Sequence, residues 1–246
     1  MSLPKIVSQD EWYTTHKEFL VKEKEFTRAK DALSAARREL PMTEIEKDYV
    51  FDGPAGKLRL GDLFQGRRQL IVYHFMFHPD WDEGCPACSF LVDHFGNWSH
   101  LNQRDTTIAV VSRGPLAKLL AYRERMGWNF DWYSSGGSDF NYDFHVTLDD
   151  KVAPPNHNFE DRAALEARGL TEFPGMEVPG ISVFLRDGER IFHTYSTYAR
   201  GTEVFDSTFH ALDLTALGRQ EPWEKPEDRY SGPVKGIRRH DEYPAE

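Results

Sequence analysis

The stretch "LIVYHFMFHPDWDEGCPACSF", residues 70–90, contains an apolar run, a polar loop and a cysteine pair, in that order. The run Leu70–Phe77 consists almost entirely of apolar and β-favouring residues, which is typical of a central strand buried on both faces. Cys85 and Cys88 are the only cysteines among the 246 residues. From Cys88 onwards, apolar side chains recur at helical spacing, at positions 88, 91, 95 and 98. The stretch therefore predicts a strand, a turn carrying Cys-x-x-Cys, and a helix.

The segments after this stretch predict an α/β fold built around the same strand. Thr106–Arg113 is a second strand of the buried type, and the helix after it begins near Pro115 and ends before Gly127. This β-α-β-α order is typical of a parallel sheet. Asp187-Gly188 separates two alternating segments and predicts an antiparallel hairpin. We therefore expect a central mixed sheet flanked by helices.

A long helix precedes this domain and a polar tail follows it. Ser8 and Glu11 have the spacing of a capping box, and Pro41 ends the helical pattern. A further helix is expected over Thr202–Leu214. Pro and charged residues dominate the last 26 residues, which predicts irregular structure, with Trp223, Tyr230 and Tyr243 as candidates to hold it to a surface. The expected division is an N-terminal helical extension over 1–41, an α/β domain over 42–220 and a tail over 221–246.

The first helix carries an apolar residue every seven positions, at Trp12, Phe19, Phe26, Leu33 and Leu40. This stripe is narrow, and two interpretations of it stay open. The helix could pack on the flank of its own domain, or it could form a homodimer with a second subunit.

Composition argues against several function classes. The net charge is −10 and no large basic cluster is present, so a nucleic-acid partner is not expected. The first residues show no apolar signal sequence, and no run approaches 18 apolar residues, so a membrane partner is not expected either. We expect a cytoplasmic protein, in which a Cys-x-x-Cys pair is more often redox-active or metal-binding than structural.

The two cysteines occupy chemically different positions in the predicted turn. Cys85 lies in the first turn of the helix, where unpaired N–H groups and the helix dipole favour a thiolate. Cys88 lies one turn further on, on the buried stripe. We therefore expect Cys85 to attack a disulfide and Cys88 to resolve the mixed disulfide. Asp82 and Glu83 precede Cys85 and are expected to oppose this by raising its pKa.

Two alternatives to a redox pair stay open. The cysteines could be inert buried thiols, or they could bind zinc together with two of the four nearby histidines, His74, His78, His94 and His100. The favoured interpretation requires neither a metal nor a cofactor. Arg113, at the end of the second strand, could attract an anion or the thiolate, or form a surface salt bridge. Trp81 could cover Cys85 or belong to the core.

The order of these segments resembles the thioredoxin fold in its peroxiredoxin-like form. "GCPACSF" is similar to the active-site turn, and "VPGISVFLRDGERI" is similar to the segment that carries the fold's cis-proline and last hairpin. The resemblance implies that Pro179 is the cis-proline and that Val178 offers its backbone to a thiol or disulfide substrate. Peroxiredoxins need Pro and then Thr or Ser at positions that are His78 and Asp82 here, so peroxidase activity is not expected.

A closer resemblance is to a bacterial family of thioredoxin-like proteins catalogued as a domain of unknown function. The pieces that carry it include "HPDWDEGCPACSF", "VVSRGPLAKLLAYRERMGW" and "IFHTYSTYARG". This family has no established reaction, so the expected activity rests on the Cys-x-x-Cys at a strand-to-helix turn and on the matching Pro179 hairpin. They predict a thiol–disulfide oxidoreductase that acts on a protein or small-molecule substrate through Cys85 and Cys88. Trp81, Arg113, Val178 and Pro179 are its expected substrate-binding residues. The alternative is a non-catalytic binding or scaffold protein, dimerised through its first helix.

Overall fold

The computed structural model describes residues 3–173, 175–229 and 236–243. In these residues the α-helices are α1 Gln9–Arg38, α2 Leu60–Leu63, α3 Pro86–Asp93, α4 Ser99–Asn102, α5 Leu116–Arg125, α6 Phe140–Asp143, α7 Arg162–Ala167 and α8 Ser207–Leu212. The strands are β1 Thr43–Glu44, β2 Val50–Gly53, β3 Gly56–Arg59, β4 Gln69–His74, β5 Thr106–Ser112, β6 Trp132–Ser134, β7 Thr147–Leu148, β8 Asn156–His157, β9 Glu160–Asp161, β10 Met176–Glu177, β11 Gly180–Asp187 and β12 Arg190–Tyr198. Short 3₁₀ turns cover Ala199–Phe205, Glu227–Arg229 and His240–Glu242.

Across the described ranges, the main sheet has eight strands in the order β1-β12-β11-β4-β5-β6-β2-β3. Strand β4 is parallel to β5, which it reaches through α3, and antiparallel to β11 on its other side. Strands β11 and β12 form the predicted hairpin, whose turn is made by Gly188 at φ +62°. A β-α-β unit joined to an antiparallel hairpin in this order is the thioredoxin-like fold, so the expected fold class is confirmed. The sheet is mixed, as predicted.

Strand β4 is buried on both faces, which explains its nearly continuous apolar sequence. Leu70 and Val72 pack into a core cluster on one face, with Phe140 of α6 and Phe144, which follows that helix. Tyr73 packs into a second cluster on the other face, and that cluster also contains Cys88. The cysteine pair and His74 therefore lie on opposite faces of the sheet.

The packing of the Cα trace divides the chain into two units, Met1–Pro41 with Thr208–Lys235 and Met42–Ser207 with Gly236–Glu246. In the first unit, α1 begins after Ser8, whose hydroxyl accepts a hydrogen bond from the Glu11 N–H at 3.2 Å. The 30-residue helix buries none of its side chains.

Two local predictions were wrong in extent. The helix after the cysteines ends at Asp93 and a new one begins at Ser99, because Gly96 and Asn97 interrupt it and the Asn97 side chain caps the Ser99 N–H at 2.9 Å. The helix expected over Thr202–Leu214 is a 3₁₀ turn followed by α8.

In residues 221–229 and 236–243 the tail contains two short 3₁₀ turns and is otherwise irregular. Of the three aromatic residues expected to hold it, Tyr243 is half-exposed, Trp223 is half-exposed with the Arg219 guanidinium 5.8 Å from its ring centroid, and Tyr230 lies outside the described residues. Arg239, whose side chain is only 12% exposed, holds residues 236–243 in place.

Candidate functional site

The cysteine pair lies where β4 ends and α3 begins. Cys85 is the N-cap residue of α3, and Pro86 occupies the first helical position, where its missing N–H costs nothing. The Cys85 N–H donates to the Met76 carbonyl at 3.2 Å, which ties the helix start to the end of the strand. Both thiols are free: Cys85 is partly exposed and Cys88 is 1% exposed. A substrate can therefore reach Cys85, whereas Cys88 is covered.

The surroundings of Cys85 favour its thiolate and lower its pKa from 9.0 to about 6. The largest cause is a hydrogen bond donated by the Cys88 thiol. Partial burial opposes it, and the N–H groups of Cys88 and Ala87 and the positive charge of Arg239 also favour the anion. A charged sulfur accepting hydrogen bonds at a helix N-terminus is the arrangement found in reactive thiols.

Cys88 has the opposite character. Burial raises its pKa well above 9.0, and its hydrogen bond to the Cys85 sulfur raises it further. Two donors partly offset this: the Tyr73 hydroxyl, and the Met76 N–H, which lies 3.4 Å from the Cys88 sulfur. The pair is asymmetric: Cys85 is partly exposed and its thiolate is favoured, whereas Cys88 is buried and its thiol form is favoured.

Asp82 and Glu83, which were expected to raise the pKa of Cys85, are not among the main causes that set it, and the pKa is lowered. Cations from other elements pair with both carboxylates. The Lys118 ammonium lies 3.1 Å from the Asp82 carboxylate and also donates to the carbonyls of Pro79 and Trp81. The Glu83 carboxylate is bound by Arg125 and, at 3.1 Å, by Arg239.

Arg113 forms a buried ion pair on this edge of the sheet. Its guanidinium donates to the Glu177 carboxylate at 2.6 Å and to the Tyr142 hydroxyl. Glu177 also accepts from the Thr147 hydroxyl at 2.9 Å, and burial raises the pKa of Glu177 despite the nearby arginine. These contacts hold Arg113 against the residue that precedes Val178. The surface salt bridge considered as the alternative is therefore a buried one.

Val178 and Pro179 lie immediately before β11, whose first residue pairs with His74 at the end of β4. Both are partly exposed, and the Val178 N–H donates to the Val146 carbonyl at 3.0 Å. The cis-proline implied by the resemblance is wrong: within the described residues the cis peptide is Lys225–Pro226, and Val178–Pro179 is trans. Trp81 is 40% exposed in the loop before Cys85, so it is not a core residue.

Two of the four nearby histidines, His74 and His78, contact residues other than the cysteines. The His74 ring is 1% exposed and lies 2.9 Å from the Ser182 hydroxyl, on the face of the sheet away from the cysteines. The ring of His78 lies beside Asp80 and near Arg113. In the part of the chain that the structure describes, no three His, Cys, Asp or Glu side chains are grouped so that they could hold a metal ion.

Three residues of the site were missed from the sequence. Tyr73 lies on the face of β4 that packs against the cysteines. Side chains alternate between the two faces of a strand, and a buried tyrosine hydroxyl needs a hydrogen-bond partner. Together these two facts could have indicated a contact between Tyr73 and the cysteine pair. Tyr122 of α5 hydrogen-bonds to Ser89 of α3 at 2.9 Å. Arg239 contacts both Tyr122 and the cysteine loop from a segment about 150 residues away, and no local pattern could have indicated that.

None of the helices in residues 3–173, 175–229 and 236–243 is long and apolar enough to cross a membrane. No curated protein matches the sequence.

Solved structures with a similar chain trace include several peroxiredoxins. Peroxidoxin BcpB from Mycobacterium tuberculosis is 12% identical, and the match covers 70% of this chain and 97% of that one with a TM-score of 0.45. A structure of Xanthomonas campestris Peroxiredoxin Q is 14% identical, with 68% and 90% covered and a TM-score of 0.43. Similarity at this level says nothing about activity.

The family model described as "Bacterial protein of unknown function (DUF899)" matches residues 1–243. The match includes the long first helix, the cysteine turn, the hairpin and the segment that carries Arg239. The chain therefore belongs to this bacterial family, the one that its motifs resemble.

Proposed function

We propose that this protein is a thiol–disulfide oxidoreductase that uses Cys85 as its nucleophile and Cys88 as its resolving cysteine. The observation that carries the proposal is the asymmetry of the pair. The partly exposed cysteine is the one whose thiol pKa is lowered to about 6, and the thiol that donates a hydrogen bond to it is buried, with its pKa raised. An inert pair of buried thiols would not leave one sulfur exposed and anionic at neutral pH.

The reaction proceeds in two exchange steps. The Cys85 thiolate attacks one sulfur of the substrate disulfide; a new S–S bond forms, the substrate bond breaks, and the first substrate thiolate leaves and takes up a proton. Cys88 then loses its proton and attacks the Cys85 sulfur, which releases the second substrate thiolate. The substrate gains two electrons and the pair becomes a disulfide, which an external dithiol must reduce before the next turnover.

Local groups assist each step. The N–H groups at the start of α3 and the Cys88 thiol stabilise the attacking thiolate. Tyr73 and the Met76 N–H donate toward the Cys88 sulfur, and their donation stabilises the thiolate that Cys88 must form in the second step. Trp81, Val178 and Pro179 are partly exposed and are the residues we propose to contact the substrate. The substrate class is a protein or small-molecule disulfide.

Insulin reduction driven by dithiothreitol tests the proposal. We expect wild type to accelerate insulin precipitation and Cys85→Ser to lose the acceleration. Cys88→Ser should accumulate a covalent complex with substrate, because the mixed disulfide then has no resolving thiol. Equal rates for wild type and Cys85→Ser would contradict the proposal.

A second candidate function, a scaffold dimerised through α1, is favoured by one observation. The seven-residue series on α1 is exposed, with Phe19 at 53% and Phe26 at 71%, and apolar side chains repeated in this way normally pack against another surface. Light scattering on the full chain tests it. A dimer that Phe19→Glu with Phe26→Glu converts to a monomer would support this function, and the same mass for both proteins would exclude it.

A further inference from the structure

The segment Gly236–Tyr243 lies against the loop that carries Cys85. Arg239 donates to the Gly84 carbonyl through two nitrogens, at 2.8 and 3.2 Å, and to the Tyr122 hydroxyl at 2.9 Å. The same guanidinium pairs with Glu83 at 3.1 Å. One side chain thus contacts the two residues that precede Cys85.

Neighbouring residues of the segment anchor Arg239 in this position. The Glu242 carboxylate accepts from it at 2.7 Å. Asp241 pairs with Arg125 of α5 at 2.7 Å, and the His240 ring lies 2.8 Å from the Asp93 carboxylate at the end of α3. The segment therefore bridges the two helices that flank the cysteine turn.

The Gly84 carbonyl is the point at which this contact reaches the cysteine. Gly84 C=O and Cys85 N–H belong to one planar peptide group, so a donor that fixes the carbonyl also fixes the direction of the N–H. That N–H donates to Met76 and sets Cys85 as the N-cap of α3. The approach is tight, since a Cβ on Gly84 would lie 2.6 Å from a ring carbon of Phe75.

The positive charge of Arg239, like its hydrogen bonds to Gly84, favours the thiolate of Cys85. Arg239 places a positive charge, only 12% exposed, beside the loop and neutralises Glu83, which would otherwise oppose a thiolate at the next-but-one residue. Tyr122, to which Arg239 donates, also bonds to Ser89 on the first turns of α3.

We propose that Arg239 is a positioning residue for Cys85: by holding the Gly84 peptide and neutralising Glu83, it keeps the nucleophile at the start of α3 in its reactive form. This inference rests on the proposed oxidoreductase function and adds the C-terminal segment to its active site. Arg239 need not touch the substrate.

The test is the pH profile of Cys85 alkylation by iodoacetamide, followed by mass spectrometry of the peptide that contains it. We expect Arg239→Gln to move the midpoint upward, so that alkylation at pH 6 slows about two- to fivefold, as a rise of roughly half to one pH unit requires. Arg238→Gln is the matched control, because it removes an equal charge from an exposed neighbour. At pH 9 all three proteins should react at similar limiting rates.

An Arg239→Gln midpoint equal to that of Arg238→Gln overturns the proposal. So does a rate that changes by the same factor at every pH, since that reports access rather than ionisation. If Arg239→Gln does not fold, Asp241→Asn loosens the anchor while keeping Arg239, and an unchanged midpoint there overturns the proposal equally. Insulin reduction separates this result from the proposed function: activity that is lost in Cys85→Ser, with an unmoved alkylation midpoint in Arg239→Gln, rejects only the role of Arg239.

Discussion

Replacing Cys88 by alanine and by serine tests what holds Cys85 as a thiolate. The hydrogen bond from the Cys88 thiol is the largest of the causes that lower the pKa of Cys85 from 9.0 to about 6. A hydrogen bond to a charged group is worth about 1.5–3 kcal/mol, and 1.36 kcal/mol corresponds to about one pH unit. Cys88→Ala should therefore raise the midpoint of Cys85 ionisation by about one to two pH units. Cys88→Ser keeps a donor at the same position and should raise it less.

The two variants make a matched pair, because Cys85 is then the only cysteine in each chain. Thiolate absorbance and alkylation rate, both followed against pH, report its ionisation without interference. At pH 6 the alanine variant should be alkylated about 5- to 50-fold more slowly than wild type, the range that the expected rise in midpoint produces. A Cys88→Ala midpoint equal to that of wild type would refute the hydrogen bond as the main cause and leave the N–H groups of α3 as the stronger one.

Two further predictions concern stability. Gly84→Ala places a Cβ 2.6 Å from a ring carbon of Phe75 and should lower the free energy of unfolding, measured in urea, by about 1–3 kcal/mol. Gly96→Ala is the control and should lower it much less, because its Cβ meets nothing within 4 Å. Equal losses in the two variants would contradict the close approach at Gly84. Burial lowers the pKa of His74 from 6.5 to about 3. Below pH 6.5 the unfolded chain therefore binds a proton at His74 that the folded chain does not bind, so the free energy of unfolding decreases as pH falls. Between pH 7 and 5 the free energy of unfolding of wild type should fall by about 2 kcal/mol more than that of His74→Phe. His100→Phe, at an exposed histidine, is the control and should behave like wild type. The same dependence of unfolding free energy on pH in all three proteins would contradict this role of His74.

Much of the fold follows from local sequence, because its strands and helices are set by side-chain period. The run Leu70–Phe77 is apolar on both faces because its side chains pack into two core clusters, one on each face of the sheet. The hairpin at Asp187-Gly188 needed only a turn that tolerates positive φ. The apolar spacing predicted one helix through Trp98, and this was wrong. The apolar residues keep a helical period there, although the helix has already ended before Gly96 and Asn97.

The site was less predictable than the fold, because its electrostatics depend on contacts between distant residues. Cys85 was singled out from a helix start, which is a local property. The charge around Asp82 and Glu83 could not be predicted locally, since Lys118 of α5 pairs with Asp82 and Arg239 pairs with Glu83. A charge pair carries no period along the chain, so its partner cannot be identified before the fold is known.

Arg239 lies near the end of the chain, so it is synthesised well after the cysteine pair. Cys88 is made 151 residues before Arg239, a separation that ribosomes cover in roughly 8–30 s at about 5–20 residues per second. During that interval the thioredoxin-like core can begin to form while the loop before Cys85 still lacks its contacts with Arg239. If Arg239 positions Cys85 as we propose, Cys85 in the unfinished chain ionises less readily than Cys85 in the finished protein.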